Sequence, residues 1–517
     1  MPGPDEIRFT VNSIQLTLGE ILITDDLLID GATAPVGQVD LRATIGSRIF
    51  HIDNGQAAAA LVDVASLKLS GGQAIDGGAI LNRESLTLRN SIVTGNTASI
   101  GGGIANRHGL IVMQSCVVYG NVAKYEGGGI VNNEGSLESH DSTIQGNRVS
   151  NLTGAFTFGG GLQNIGRASA LLVRSQVLGN SAYAPLPGVM GQGGGISVML
   201  ESSLHLIDSV VTDNFAEHNG GGVFVLDNST ARLELNSMVS SNVSGQAGGG
   251  LHLQRSMVQI LDSFVAGNTT DLRGGGISAA NDVILDITNS QVTDNRTDLI
   301  NPDGSGGGLF LSGYGTATGP QVTITGSQIL RNNFSPAGSP GGELGGGISV
   351  LFGSRLHIDQ STISQNAASI SGGGIFASAE FSAHAPDVTI NGTQVTLNKA
   401  NLTGAGVTLT GGKLQIDNSQ IQRNVTSGRG GGLFLTGLGA LTSTQIHLND
   451  SDITQNTGSI EGGGIAAGPN LDLQLVQSRV SANATFGAGG GLYLTALGSL
   501  ANPHTTTIVD SEITYNT

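Results

Sequence analysis

Cysteine is nearly absent from this chain of 517 residues. The single example, Cys116, has no partner for an intramolecular disulfide, and its alternation with Val117 suits a packed position better than a reactive one. Charge is sparse as well: 12% of residues are charged, and their balance of −17 argues against nucleic acid or an anionic membrane as partner. No run of eighteen apolar residues occurs, which excludes a membrane-crossing helix. The start, Met1-Pro2-Gly3-Pro4, lacks the basic and apolar stretches of a signal peptide. Hydrolytic chemistry needs two or three converging carboxylates, and lyase chemistry needs a carboxylate-bound calcium with a basic proton acceptor. Here no Gly-His-Gly or Arg-x-Lys accompanies an aspartate pair, Asp25-Asp26 stands alone near the start, and the histidines (His108, His140, His205, His252, His357 and others) are scattered singly. Calcium nonapeptides are missing too; Asn301-Pro302-Asp303-Gly304 is only an Asx-rich loop. No catalytic, cofactor-binding or metal-binding residue is assigned.

What the chain has is glycine, 82 residues of it, without the three-residue period of collagen. Fifteen glycine runs begin at 77, 101, 127, 159, 193, 220, 248, 274, 306, 345, 372, 404, 430, 462 and 489. Each is followed by Ile, Leu, Val or, in the first run, Ala-Ile, and each is matched by one later asparagine. These are Asn96, Asn121, Asn147, Asn180, Asn214, Asn242, Asn268, Asn295, Asn332, Asn366, Asn398, Asn424, Asn456, Asn483 and Asn516. Five residues before the asparagine stands a serine in thirteen units; Thr393 replaces it once, and Ser115 sits one place early. Length varies only between these marks, so the marks are packed coil elements and the intervals are loops. Regular aliphatic spacing over the whole length excludes disorder.

Within a unit, apolar residues alternate with period two after the glycines, again in segments such as Leu86-Thr87-Leu88 and Leu233-Glu234-Leu235, and again around the Ile or Val before the asparagine. Three short strands per unit with no helical pattern predict an all-β chain forming a single parallel β-helix. It comprises about fifteen rungs over 77–517 and capping rungs over the lead-in 1–76. At about 4.8 Å per rung this predicts a rod on the order of 70 Å. Glycine suits corners that need positive φ or close backbone approach. Asparagine tolerates left-handed backbone and, in register, makes a structural ladder.

The repeated Gly-Gly-Gly-Ile with a downstream Ser-x-Ile-x-x-Asn resembles bacterial right-handed parallel β-helix proteins whose repeats are grouped with the polymorphic outer membrane protein type. The head, Pro2-Gly3-Pro4-Asp5-Glu6-Ile7-Arg8-Phe9 with Leu28-Ile29-Asp30-Gly31, is similar to the lead-in of large secreted bacterial proteins. The resemblance implies an exported or cell-surface location, a fragment of a longer polypeptide, and a non-catalytic stalk or adhesin passenger whose partner is a glycan or a protein of a host or neighbouring cell. Polysaccharide lyases and hydrolases share the fold and supply the first alternative; a spacer that binds nothing is the second.

From about residue 306 the true unit becomes a pair of rungs. Its longer member carries a loop after the first strand, at 313–318, 379–384, 437–442 and 496–501, and places an aromatic at the outward position of that strand. These are Phe310, Phe376, Phe434 and Tyr493, with Phe224 as an earlier case; the shorter members have Ser349, Thr408 and Ala466 there. An outward aromatic row is a candidate recognition stripe. The competing expectation is that each loop folds back over its own ring.

Overall fold

A computed structural model describes residues 5–44, 46–151, 156–184, 190–297, 305–313, 318–333, 344–379, 384–438, 440, 444–495 and 504–517. Among the described residues every regular element is a β-strand apart from one 3-10 turn at Gly31–Thr33, and the chain winds as a right-handed parallel β-helix. Two compact units share it: Met1–Gly245 with Gly250–His252, and Gln246–Gly249 with Leu253–Thr517.

One rung of the first unit shows the local logic. After Gly101 come the strands Ile104–Arg107, Leu110–Gln114, Val117–Tyr119 and Val122–Glu126. They pair in parallel with Ile130–Asn133, Ser136–His140, Thr143–Gln145 and Arg148–Ser150 of the next rung. In the second unit Ile375–Ser378, Asp387–Asn391, Gln394–Thr396 and Lys399–Ala400 pair likewise with the four strands that follow. These rungs therefore have four ladders where the periodicity predicts three. The fourth lies between the asparagine and the next glycine run, where two to five residues are too few to show an alternation. The lead-in joins the same ladders, since Leu27–Asp30 and Leu61–Ala65 pair in parallel, and the latter pairs with Ser85–Arg89.

Alternation fills the interior. Ile104, Ile111, Met113 and Val118 are all fully buried, and each such side chain stabilises the fold by roughly 1.5–3 kcal/mol. The glycine run is dictated by contacts rather than by composition. Gly101 has φ +64°, and a Cβ on Gly102 would stand 2.2 Å from the Gly128 carbonyl oxygen of the rung above.

The asparagines form two continuous amide ladders, Asn96 to Asn242 in the first unit and Asn268 to Asn516 in the second. Asn121 is typical: its Nδ2 donates to Asn147 Oδ1 at 3.0 Å and to the Val93 carbonyl at 2.9 Å, while its backbone N–H reaches the same Oδ1 at 3.0 Å. Asn366 does the same with Asn398 and the Ile329 carbonyl. Burial of an amide costs free energy unless it is bonded, and here both amide groups are used. The left-handed backbone expected at these asparagines lies one residue earlier. Gly95, Gly120, Asp213, Asp294, Arg331, Leu397 and Tyr515 carry the positive φ, which bends the chain so that the following side chain points inward.

A second ladder runs through the serines. Ser175 N–H donates to Ser209 Oγ at 3.0 Å, and Ser175 Oγ donates to the Val173 carbonyl at 3.0 Å. Cys116 stands in this row: its N–H donates to Ser142 Oγ at 3.0 Å and its thiol to the Leu88 and Gln114 carbonyls, both at 3.3 Å. The irregularity at Ser115 is thus no shift of the repeat but a thiol in place of a hydroxyl. Burial pushes the thiol pKa up, which keeps it protonated and inert.

Two expectations follow. Leu397 is exposed and holds φ +59°, a conformation costing a β-carbon residue roughly 1–2 kcal/mol, so Leu397→Gly raises the thermal unfolding midpoint; an unchanged or lower midpoint contradicts the strain. Cys116→Ser keeps the ladder and changes stability by less than about 0.5 kcal/mol. Cys116→Val removes a buried acceptor and donor and costs about 1–3 kcal/mol by chemical denaturation.

Candidate functional site

The outward position of the first strand is covered rather than exposed. Leu81, Ala105 and Val131 form a second, small apolar cluster outside the main interior, with Ile100 and Ile165 packed against it. Ile100 belongs to the fourth ladder, so the chain returning toward the next glycine run roofs this row. The predicted aromatics sit in the same row. Phe224, Phe310 and Phe376 are only 2%, 1% and 7% exposed, which removes them from any recognition stripe; Phe434 and Tyr493 are half-buried.

The Arg273 guanidinium lies over the Phe310 ring at 5.5 Å. The glycine run packs against the base of the aromatic side chain: a Cβ on Gly372 would lie 2.6 Å from Phe376 Cβ, and one on Gly489 would lie 2.8 Å from Tyr493 Cβ. The loops expected to cover the rings fall at 314–317, 380–383, 439, 441–443 and 496–503, outside the described residues. The paired repeat is matched by the packing of this row. In register the second unit reads Ser278, Phe310, Ser349, Phe376, Thr408, Phe434, Ala466, Tyr493, so large alternates with small. Between Phe434 and Tyr493 the small Ala466 leaves a cavity of about 80 Å³, walled by Arg429 and Glu461, which pair at 3.0 Å.

In the first unit this row ends on a histidine. His252 is fully buried, its ring stacked on Phe224 at 5.6 Å and 4°. Its Nδ1 has no hydrogen-bond partner, and burial lowers its pKa from 6.5 to about 4.

A larger cavity, about 380 Å³, opens on the outer face of the second ladder where the lead-in meets the repeats. Three strands build it. Leu28, Asp63 and Thr87 stand side by side on adjacent rungs, flanked by Leu61 and Ser85 in one direction and Arg89 in the other. Arg89 Nη2 meets Asp63 Oδ2 at 2.6 Å, while Asp63 Oδ1 is shielded from solvent without a hydrogen bond. Burial raises the Asp63 pKa and Arg89 opposes it. Asp26 is held in place by accepting the Leu61 N–H at 2.8 Å. A ligand here meets apolar Leu28 and Leu61 beside hydroxyl and charged groups, the mixture that suits a polyhydroxylated molecule. Of these residues only Asp26 was noticeable in sequence, as half of Asp25-Asp26. Asp63 and Arg89 become visible once the lead-in is laid in register with the first repeat.

Elsewhere arginine and carboxylate are paired across rungs: Arg107 with Asp76 at 3.0 Å, Arg174 with Asp141 at 2.7 Å, Arg331 with Asp294 at 2.8 Å and Arg479 with Asp452 at 2.9 Å. Arg174 and Arg331 hold the Asp141 and Asp294 carboxyls below their usual range. Glu126, near Arg107 and Asp76, has its pKa raised by burial. Among the described residues no group of three His, Cys, Asp or Glu is arranged to hold a metal ion.

Residues 194–395 match the family model described as a right handed beta helix region. Among solved structures the chain is similar to the A-module of a mannuronan C-5 epimerase from Azotobacter vinelandii, at 12% identity, covering 88% of this chain and 91% of that one, with a TM-score of 0.27. It is also similar to a mutant alginate lyase of the PL6 family, at 10% identity, covering 98% of each chain, with a TM-score of 0.16. Values this low bear on no residue or activity here. Comparison with curated proteins finds no match.

His252 makes the fold acid-sensitive. Its folded pKa lies below the ordinary value, so the unfolded chain takes up the extra proton. Stability is full above pH 6.5 and declines as pH falls toward about 4, by about 3 kcal/mol at most. Denaturation of wild type and His252→Leu across this range checks it: the variant lacks that part of the slope, and equal slopes contradict the assignment.

Proposed function

We propose that the chain is a non-catalytic recognition module of an exported bacterial surface protein, a stalk or adhesin passenger of the type its repeats resemble, and that it holds a glycan in the cleft around Asp63. The observation that carries this is the cleft itself: about 380 Å³, open along the sheet, with a carboxylate clamped by a guanidinium at 2.6 Å. A clamped ion pair presents fixed acceptors and donors to sugar hydroxyls, whereas a proton-transfer group has to be free to exchange its proton. A glycan of a host or neighbouring cell surface is the partner proposed.

One observation favours a polysaccharide-active enzyme instead. Burial raises the Asp63 pKa, the direction that a general acid needs. Binding to a glycan array, with parallel assay for released reducing ends or unsaturated products, separates the two. The recognition role predicts binding without turnover, weakened about tenfold by Arg89→Ala, which removes one charge-assisted contact. Turnover abolished by Asp63→Asn would establish the enzyme, and absence of both binding and turnover leaves a structural spacer.

A further inference from the structure

The fourth ladder of the first unit carries a second surface that the cleft does not use. Val122–Glu126, Arg148–Ser150, Ser181–Tyr183 and Phe215–Ala216 lie on successive rungs. Val122, Arg148, Ser181 and Phe215 are in register, and Ser150 is in register with Tyr183. Ala123, Val149, Ala182 and Ala216 point inward and are buried, so their neighbours face solvent.

The cations of this strip rest on aromatic rings rather than on carboxylates. Arg107, Arg174, Arg331 and Arg479 are each paired with a carboxylate of another rung. Lys124 and Arg148 are exposed and are not within ion-pair distance of any carboxylate among the described residues. Instead the Lys124 ammonium lies 4.9 Å from the centroid of the Tyr125 ring, and the Arg148 guanidinium 5.1 Å from that of Tyr183. Arg148 Nη2 also donates to Ser150 Oγ at 3.1 Å. Stacking on an aromatic face keeps a guanidinium flat, with its remaining N–H edge available for a bidentate anion, at little further entropy cost. Beside these cations the Phe215 ring is 36% exposed and Val122 39% exposed.

Acidic groups bound the strip without neutralising it. Glu126 is two residues past Lys124, has its pKa raised by burial, and lies close enough to Arg107 to feel its charge. Glu217 follows on the rung beyond Tyr183, its N–H bonded to the Ala182 carbonyl. The overall charge of −17 does not decide a contact at this range, because fields are screened beyond a Debye length of about 8–10 Å.

We infer that the Lys124, Arg148, Tyr183 and Phe215 strip binds an anionic saccharide, its carboxylate or sulfate groups on Lys124 and Arg148 and the apolar face of a sugar ring on Phe215. Each half of the ligand matches one feature: the exposed cations suit an anion, and the phenyl ring in register beside them suits an apolar ring face. Unlike the Asp63 cleft, this site selects for charge.

The test is direct binding of the full chain to four probes at low and physiological salt. They are a polyuronate oligosaccharide, a sulfated oligosaccharide, a neutral dextran oligosaccharide and a single-stranded oligonucleotide. The two acidic sugars are expected to bind, more weakly as salt rises, and whichever binds more tightly identifies the anion. Lys124→Gln/Arg148→Gln is expected to weaken that binding about tenfold, from two exposed charge contacts. Binding lost in this double variant is assigned to the strip and binding lost in Arg89→Ala to the Asp63 cleft, so failure of one and failure of the other are read separately. Circular dichroism of the exposed double variant, unchanged from wild type, establishes that it folds. The proposal is overturned if neither acidic sugar binds, if dextran or the oligonucleotide binds as well as they do, or if the double variant binds like wild type.

Discussion

Everything in this chain hangs on parallel pairing at a fixed rung spacing. Each backbone group bonds to the rung above and below, so identical positions stack at about 4.8 Å, and a side chain is tolerated only if it can tolerate its own copy at that distance. Asparagine meets the condition, because its amide donates at one end and accepts at the other. Asn147 receives from Asn121 and gives to Asn180. The ladder thereby satisfies buried polar atoms that would otherwise each cost about 1–3 kcal/mol.

The same register orders the outer row of the first strand. The second unit alternates Phe310, Ser349, Phe376 and Thr408, whereas Phe224 and His252 of the first unit stack ring on ring across successive rungs. The small members of the row leave a price in polar satisfaction, since Ser197, Ser278 and Ser349 are buried there with hydroxyls that lack a hydrogen-bond partner.

Function has to live on what stacking leaves outside. On the second ladder that is the cleft of Asp63 and Arg89, where the lead-in strands meet the first repeats. On the fourth ladder it is the strip of Lys124 and Arg148, whose cations rest on tyrosine rings. Ion pairs across rungs occupy many of the other outward charges, and exposed pairs of that kind contribute little stability.

The sequence by itself determined the parallel β-helix, the positions of its glycine corners and the asparagine ladder, because these depend on periodicity and on residues required to repeat. It did not reveal the fourth ladder, whose strands of two to five residues are too short to alternate and are defined only by pairing with the next rung. It placed the left-handed turn on the asparagine, although Leu397 and Asp294 show that the preceding residue bends. It made Phe310 and Phe376 outward, which is true of the strand and false of the surface, because both are buried, Phe310 beneath Arg273 of the preceding rung. Asp63 with Arg89, and Arg148 with Tyr183, are separated along the chain and become neighbours only through register. Repetition fixes a scaffold locally, whereas a site depends on which rungs meet, and tertiary structure alone decides that.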